Sequence, residues 1–147
     1  MPLISCKNNN PPEPTTDELC FSDVSGDKKE TKIEYKLEGG LTVDGILYKL
    51  GDGNWTTWGL QEGSTTESVV LTLTDGEKLY VKNKNQTLST SEFKYFHFIT
   101  NINTDAGQVR VDGNVNSMIN YANLSECCFY GLFLGCSNLT TAPSLPA

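Results

Sequence analysis

The chain has 147 residues, enough for one domain and an appendage, and 37% of them are apolar, a low share for a globular protein. Its formal net charge is −7, and its eleven Lys and Arg are scattered, with Lys28-Lys29 the only adjacent pair. That argues against nucleic acid as a partner, because phosphate binding needs clustered cations. No apolar run approaches the roughly 20 residues of a membrane span, so none is expected.

Residues 1–18 read as an extended N-terminal arm. It opens on the apolar Met1-Pro2-Leu3-Ile4 and continues through Asn8-Asn9-Asn10-Pro11-Pro12-Glu13-Pro14-Thr15-Thr16, which has no periodicity. Its prolines favour extended polyproline backbone, and an arm of this length reaches about 50 Å. Leu3, Ile4, Pro11 and Pro12 are the candidate partner contacts. Leu3-Ile4-Ser5-Cys6 also resembles a lipoprotein box, with Cys6 as the lipidated residue. A secretory signal needs a basic start and an apolar segment of about 7–15 residues, whereas only Met1 to Ser5 precede Cys6 and none is basic.

Residues 19–116 alternate like strands and predict an all-β domain. Ile33, Tyr35 and Leu37 sit between Lys32, Glu34 and Lys36, and Val69, Leu71 and Leu73 alternate with Thr72 and Thr74. Leu79 and Val81 alternate with Tyr80 and Lys82, and Val109 and Val111 flank Arg110. Turn signals separate these runs at Gly39-Gly40, Asp44-Gly45, Asp52-Gly53, Asp75-Gly76 and Asp112-Gly113. Asp-Gly between alternating runs predicts hairpins, because glycine takes positive φ at low cost. Six to eight short strands of this kind predict an antiparallel β-sandwich, Ig-like or jelly-roll-like. Residues 117–147 form a third unit, beginning with a short helix over about residues 117–133.

The end of the chain, Cys128-Phe129-Tyr130-Gly131-Leu132-Phe133-Leu134-Gly135-Cys136-Ser137-Asn138-Leu139-Thr140-Thr141-Ala142-Pro143-Ser144-Leu145-Pro146-Ala147, is densely patterned. It resembles one unit of the BspA-type leucine-rich repeat, whose usual form is close to C-Y-x-x-M-F-x-G-C-T-S-L-T-x-A-P-x-L-P-A. The middle of the chain resembles the small β-domains that precede such arrays. Leu47-Tyr48-Lys49-Leu50-Gly51-Asp52-Gly53-Asn54-Trp55-Thr56-Thr57-Trp58 is similar to their Y-S-L-D-G-G-x-W-T-T-W hairpin. Gly76-Glu77-Lys78-Leu79-Tyr80-Val81-Lys82 is similar to their G-E-K-V-Y-F-R strand, and Asp112-Gly113-Asn114-Val115-Asn116-Ser117-Met118-Ile119 to their junction into the repeats. The resemblance implies that residues 117–147 are the cap and first repeat of a solenoid. A solenoid unit cannot bury its apolar face alone, and roughly three or more are needed for stability. The chain is therefore expected to be the front of a longer protein.

Such proteins occur on the surfaces of gut bacteria and on the virions of their tailed phages. The resemblance therefore implies a non-enzymatic bacteriophage virion protein, a head or tail fibre or capsid-decoration subunit. It would be held to other virion proteins by the arm and would form a homo-oligomer, a trimer in the case of a fibre. The array would adhere to host surfaces or mucus glycans. The alternative is a bacterial cell-surface lipoprotein adhesin anchored at Cys6.

Candidate chemistry is sparse. His97 is the only histidine and lies in Phe93-Lys94-Tyr95-Phe96-His97-Phe98-Ile99, where it reads as a strand residue at a face or edge. Asn101, Asn103, Asp105 and Asp112 loosely resemble a calcium loop, but Ala106 stands where glycine is required, and a polar turn is the simpler reading. The five cysteines include no C-x-x-C, so zinc lacks ligands at workable spacing. All five read as reduced, with a disulfide through Cys20 as the alternative. No catalytic residue, cofactor or metal is expected. Trp55 and Trp58 are three apart, which on a strand puts them on opposite faces, one in the core and one exposed. Trp58 is the residue taken as able to stack on a ligand or partner.

Overall fold

The structure, a computed structural model, describes residues 18–26, 29–85, 88, 91–103, 105–119 and 131–143. The arm contacts Leu3, Ile4, Pro11 and Pro12, the lipidation candidate Cys6, and the body of the expected cap helix all lie outside these residues.

The described chain is all-β. Its strands are β1 (Leu19–Asp23), β2 (Thr31–Leu37), β3 (Ile46–Leu50), β4 (Thr56–Thr57), β5 (Leu71–Leu73), β6 (Lys78–Asn83), β7 (Phe96–Ile99), β8 (Val109–Asp112) and β9 (Leu139–Thr141). They form a six-stranded sheet in the order β4-β3-β6-β1-β8-β9 and a three-stranded sheet in the order β5-β2-β7. Every pairing is antiparallel except β8 with β9, which is parallel.

Alternation makes the core. Ile33, Tyr35 and Leu37 of β2, Leu79 and Val81 of β6, and Val109 and Val111 of β8 are all buried. They meet Leu19 and Phe21 of β1 and Phe96 and Phe98 of β7 in one apolar cluster fed by both sheets, as in a β-sandwich. Aromatic rings form the centre. Phe21 meets Phe98 edge-on at 4.9 Å, Tyr35 stacks on Phe96 at 4.8 Å, and Trp58 meets Tyr35 edge-on at 5.2 Å.

The Asp-Gly signals marked reversals but not pairings. Only Asp52-Gly53 lies between strands that pair with each other, β3 and β4. Asp75-Gly76 carries the chain from β5 in one sheet to β6 in the other, and Gly39-Gly40 and Asp44-Gly45 lie in the crossover from β2 to β3. A tight turn sets a change of direction, whereas the sheet that the next strand joins is set by burial. Gly39 is needed for a further reason. Its φ is +68°, and a Cβ there would fall 1.7 Å from the Phe93 carbonyl oxygen. Val69, expected to alternate inward with Leu71, is instead exposed. Its N–H bonds Gly59 O and its carbonyl accepts from Trp58 Nε1, so its backbone belongs to the neighbouring turn.

Two polar clusters hold the connections. Asp23, 1% exposed at the end of β1, accepts from Ser25 N at 3.0 Å and from Thr31 Oγ1 at 2.7 Å, and Thr31 Oγ1 accepts from Gly107 N. These bonds satisfy a carboxylate that burial would otherwise penalise. A 3-10 turn, Val115–Ser117, follows β8 and is capped by Asn114. Ser117 Oγ accepts from Leu19 N and donates to Val81 O, fixing the turn to β1 and β6.

Residues 131–141, expected within the cap-and-repeat unit, share the core of the sheets. Leu132 and Cys136 are buried in it, and the Phe133 ring lies 6.0 Å from Phe98. Phe98 N bonds Leu132 O, Thr100 N bonds Gly135 O, and Val109 N bonds Asn138 O. The segment thus closes the side of the sandwich between β7 and β8.

The core also sets a titration. Tyr35 OH donates to Trp58 O at 2.7 Å, and burial pushes its pKa up to about 12. A raised folded pKa means its contribution is complete below the ordinary phenol value of about 10 and is lost as pH rises from there through about 12. A spectrophotometric titration is expected to show one phenolate step near pH 12 in the folded protein, and loss of that step in Tyr35→Phe. A Tyr35→Phe titration curve unchanged above pH 11 would contradict the assignment.

Candidate functional site

The outward face of the six-stranded sheet gathers side chains that the sequence scatters. Directly opposed residues of neighbouring strands share a face. The register pairs Ser22 with both Lys78 and Arg110, and Cys20 with both Tyr80 and Asp112. It pairs Tyr80 with Lys49 and Lys82 with Leu47. Lys49, Lys78, Lys82 and Arg110 therefore stand on one surface, four of the eleven basic residues of an acidic chain.

Trp55 sits among them. The β3–β4 register places Leu47 opposite Thr57 and Tyr48 opposite Thr56, so one step further Trp55 falls on the outward side beside Lys49. Lys82 Nζ lies 4.1 Å from the centroid of the Trp55 ring. Lys49 Nζ lies 5.2 Å from Trp55 and 5.1 Å from Tyr80. These are cation–π distances, and each contact at a partly exposed site contributes on the order of 0.5–1 kcal/mol. They hold two ammonium groups against two rings. Burial raises the Tyr80 phenol, with Cys20 adding to the shift, so Tyr80 is a neutral hydrogen-bonding ring at ordinary pH.

Lys82 also lines an open concavity of about 620 Å³, together with Glu18, Leu47, Lys84 and Asn116. Arg110 is paired with Asp112 at 2.8 Å. Among the described residues, Lys49, Lys78 and Lys82 form no ion pair with a carboxylate. The arrangement can hold an anion beside an aromatic platform.

The sequence-predicted stacking residue is corrected. Trp58 is 1% exposed, with Nε1 donating to Val69 O at 2.7 Å and its N–H bonding Ile46 O, so its ring is sealed in the core and has no face to offer. Trp55 is the half-exposed member of the pair. The parity of the two tryptophans was legible, but which one faces outward depends on the register with β3. The clustering of Lys49, Lys78 and Lys82 was not legible, because it requires the order β3-β6-β1.

The remaining candidates have structural settings. His97 is buried, with Nδ1 2.9 Å from Leu134 O and Nε2 3.0 Å from Glu38 Oε2. Two acceptors face its two nitrogens, and the residue ties β7 to the segment that closes the sandwich. Asn103 accepts from Lys32 N and donates to Glu30 O, a polar turn, and among the described residues no three potential metal ligands converge. Cys20 and Cys136 are buried free thiols. Burial pushes Cys136 up to about 11, and Cys20 is raised by the same cause. No helix among the described residues is long and apolar enough to cross a membrane.

No family model, curated protein or solved structure matches this chain.

Proposed function

We propose that this protein is a non-enzymatic display module, a β-domain that founds a leucine-rich-repeat array on a bacteriophage virion for adhesion to host or gut surfaces. The observation that supports this reading is β9. Leu139–Thr141 lies where the repeat pattern expects a strand, and it joins β8 in parallel in a sheet otherwise antiparallel. Strands of successive solenoid units stack in parallel. The outer edge of β9 pairs with no other described strand, so it can template the next repeat. Thr140 and Thr141 fix its position by bonding Val109 O and Val111 O.

The N-terminal arm is the proposed attachment element, and a symmetric homo-oligomer, a trimer for a fibre, is the proposed assembly. Pro11, Pro12 and Pro14 reduce the entropy lost when an arm is fixed on a partner. Deleting residues 1–14 is expected to leave thermal unfolding nearly unchanged and to abolish incorporation into particles. Normal incorporation of the truncated protein counts against the virion reading. The Leu3-Ile4-Ser5-Cys6 box favours a second reading, a cell-surface lipoprotein adhesin. Mass spectrometry that finds lipid on Cys6 would put that reading first.

A further inference from the structure

We propose that the outward face of the six-stranded sheet is a docking surface for an acidic polysaccharide, with Trp55 and Tyr80 as the platform for sugar rings and Lys49, Lys78 and Lys82 as partners for carboxylate or sulfate groups. The proposal names a ligand class for the adhesive reading above and rests on it, but it does not depend on whether a virion or a cell displays the protein.

Three observations carry it. The first is charge. The chain is −7 overall, yet Lys49, Lys78 and Lys82 share this one face and form no ion pair among the described residues, so the face carries a local cluster of ammonium groups beside Arg110, whose charge Asp112 offsets, and near Glu18 and Asp52. A polyanion approaching the protein is repelled elsewhere and drawn here. The second is the juxtaposition of cations with rings. Lys82 at 4.1 Å and Lys49 at 5.2 Å from the Trp55 centroid are held in place before any ligand arrives. The C–H face of a sugar packs on an aromatic ring, and the acid group of the same or the next sugar then meets an ammonium group already positioned beside it. The third is the concavity. The hollow of about 620 Å³ beside Lys82 continues the face past Leu47 to Lys84 and Asn116, which extends the binding track and adds a further ammonium group to it.

Spacing selects the polymer. Lys78 and Lys82 are four residues apart on β6, roughly 13 Å along an extended strand. Nucleic acid carries a phosphate about every 3.4 Å along a strand, far denser than these cations. The face matches a chain whose charges are separated by whole sugar rings. Glu18 also lines the hollow and Asp112 offsets Arg110, so the attraction for a polyanion rests on the lysines.

The test measures binding of the purified chain to immobilised chondroitin sulfate, to hyaluronan, to dextran as the uncharged control, and to oligo(dT). Binding to at least one of the two acidic glycans is expected at about 50 mM salt, with little to dextran, and it is expected to weaken as salt shortens the Debye length. Lys49→Glu with Lys82→Glu is expected to lose at least tenfold in affinity, and Trp55→Ala about three- to tenfold. Lys32→Glu, on the outer side of the other sheet, is expected to change it less than twofold. Lys78→Glu repeats the test at a site that makes no ring contact, should the double variant unfold. No binding to either acidic glycan overturns the proposal. So does tighter binding to oligo(dT), or unchanged glycan binding by folded charge-reversal variants. Loss of the face with normal particle incorporation or normal lipidation removes this ligand alone and leaves the display reading standing.

Discussion

Trp58→Ala is expected to destabilise the domain by about 3–5 kcal/mol, the usual cost of truncating a buried tryptophan. That is a large fraction of the roughly 5–15 kcal/mol that holds a domain of this kind folded. The side chain is 1% exposed and joins both sheets through its ring contacts with Tyr35 of β2 at 5.2 Å, Phe98 of β7 at 6.3 Å and Tyr48 of β3 at 5.9 Å. Removing it opens a cavity at the point where the layers meet, and well-packed neighbours collapse only partly. It also removes the Nε1 bond to Val69 O, although that carbonyl keeps Ser68 Oγ as a donor at 3.0 Å. The loss is therefore mainly one of packing. Trp55→Ala, at a half-exposed surface site, is expected to change stability by about 0.5 kcal/mol. Urea unfolding followed by circular dichroism distinguishes the two as a shift in midpoint at nearly constant slope. If Trp55→Ala proves the more destabilising, the inside and outside assignments of the β3–β4 hairpin are reversed.

That pair shows how much the sequence could tell. Alternation in Ile33, Tyr35 and Leu37, and again in Leu79 and Val81, signals strands because each buries a continuous row of side chains. Burial of this kind is local information. Sheet membership is not local. Nothing in Asp75-Gly76 says that the strand before it joins β2 and the strand after it joins β1 and β3. Asp23 escaped notice for the same reason, since its partner Thr31 is eight residues away and the loop they hold, at Gly107, lies 76 residues beyond Thr31. The candidate face depends wholly on such pairings. Lys49 and Lys82 are 33 positions apart, and only the β3–β6 register brings both to Trp55. In the sequence they read as scattered charges on a chain too acidic to attract a polyanion.

The second large effect is expected at Asn138, the residue that locks the repeat-like segment onto the sandwich. Its Nδ2 donates to Thr100 O at 2.9 Å and to Gly107 O at 2.8 Å, while its Oδ1 accepts from Thr100 Oγ1. One side chain therefore binds the end of β7, the loop before β8 and the start of β9. Thr100 is fully buried, so Asn138→Ala leaves acceptors without water to replace the lost donor, at about 1–3 kcal/mol for each unsatisfied group. Asn138→Asp is the sharper variant. It keeps the shape but sets a carboxylate oxygen against two carbonyl oxygens, and it is expected to be at least as damaging as alanine. The segment it releases includes Cys136, whose thiol donates to Phe98 O at 3.2 Å and whose burial holds its pKa near 11. A buried, protonated thiol is a poor nucleophile. In the intact protein Cys136 is expected to alkylate only slowly at pH 8. In Asn138→Asp its labelling is expected to speed up at least tenfold, which corresponds to about 1.4 kcal/mol of easier opening. Peptide mass spectrometry resolves this site from the other cysteines. Thr140→Ala, which loses a single bond from an exposed position to Val109 O, is the matched control and is expected to label near the intact rate. If Asn138→Asp leaves Cys136 as protected as before, the segment is held by the packing of Leu132 and Phe133 rather than by the asparagine. The joint between the sandwich and residues 131–141 would then be apolar.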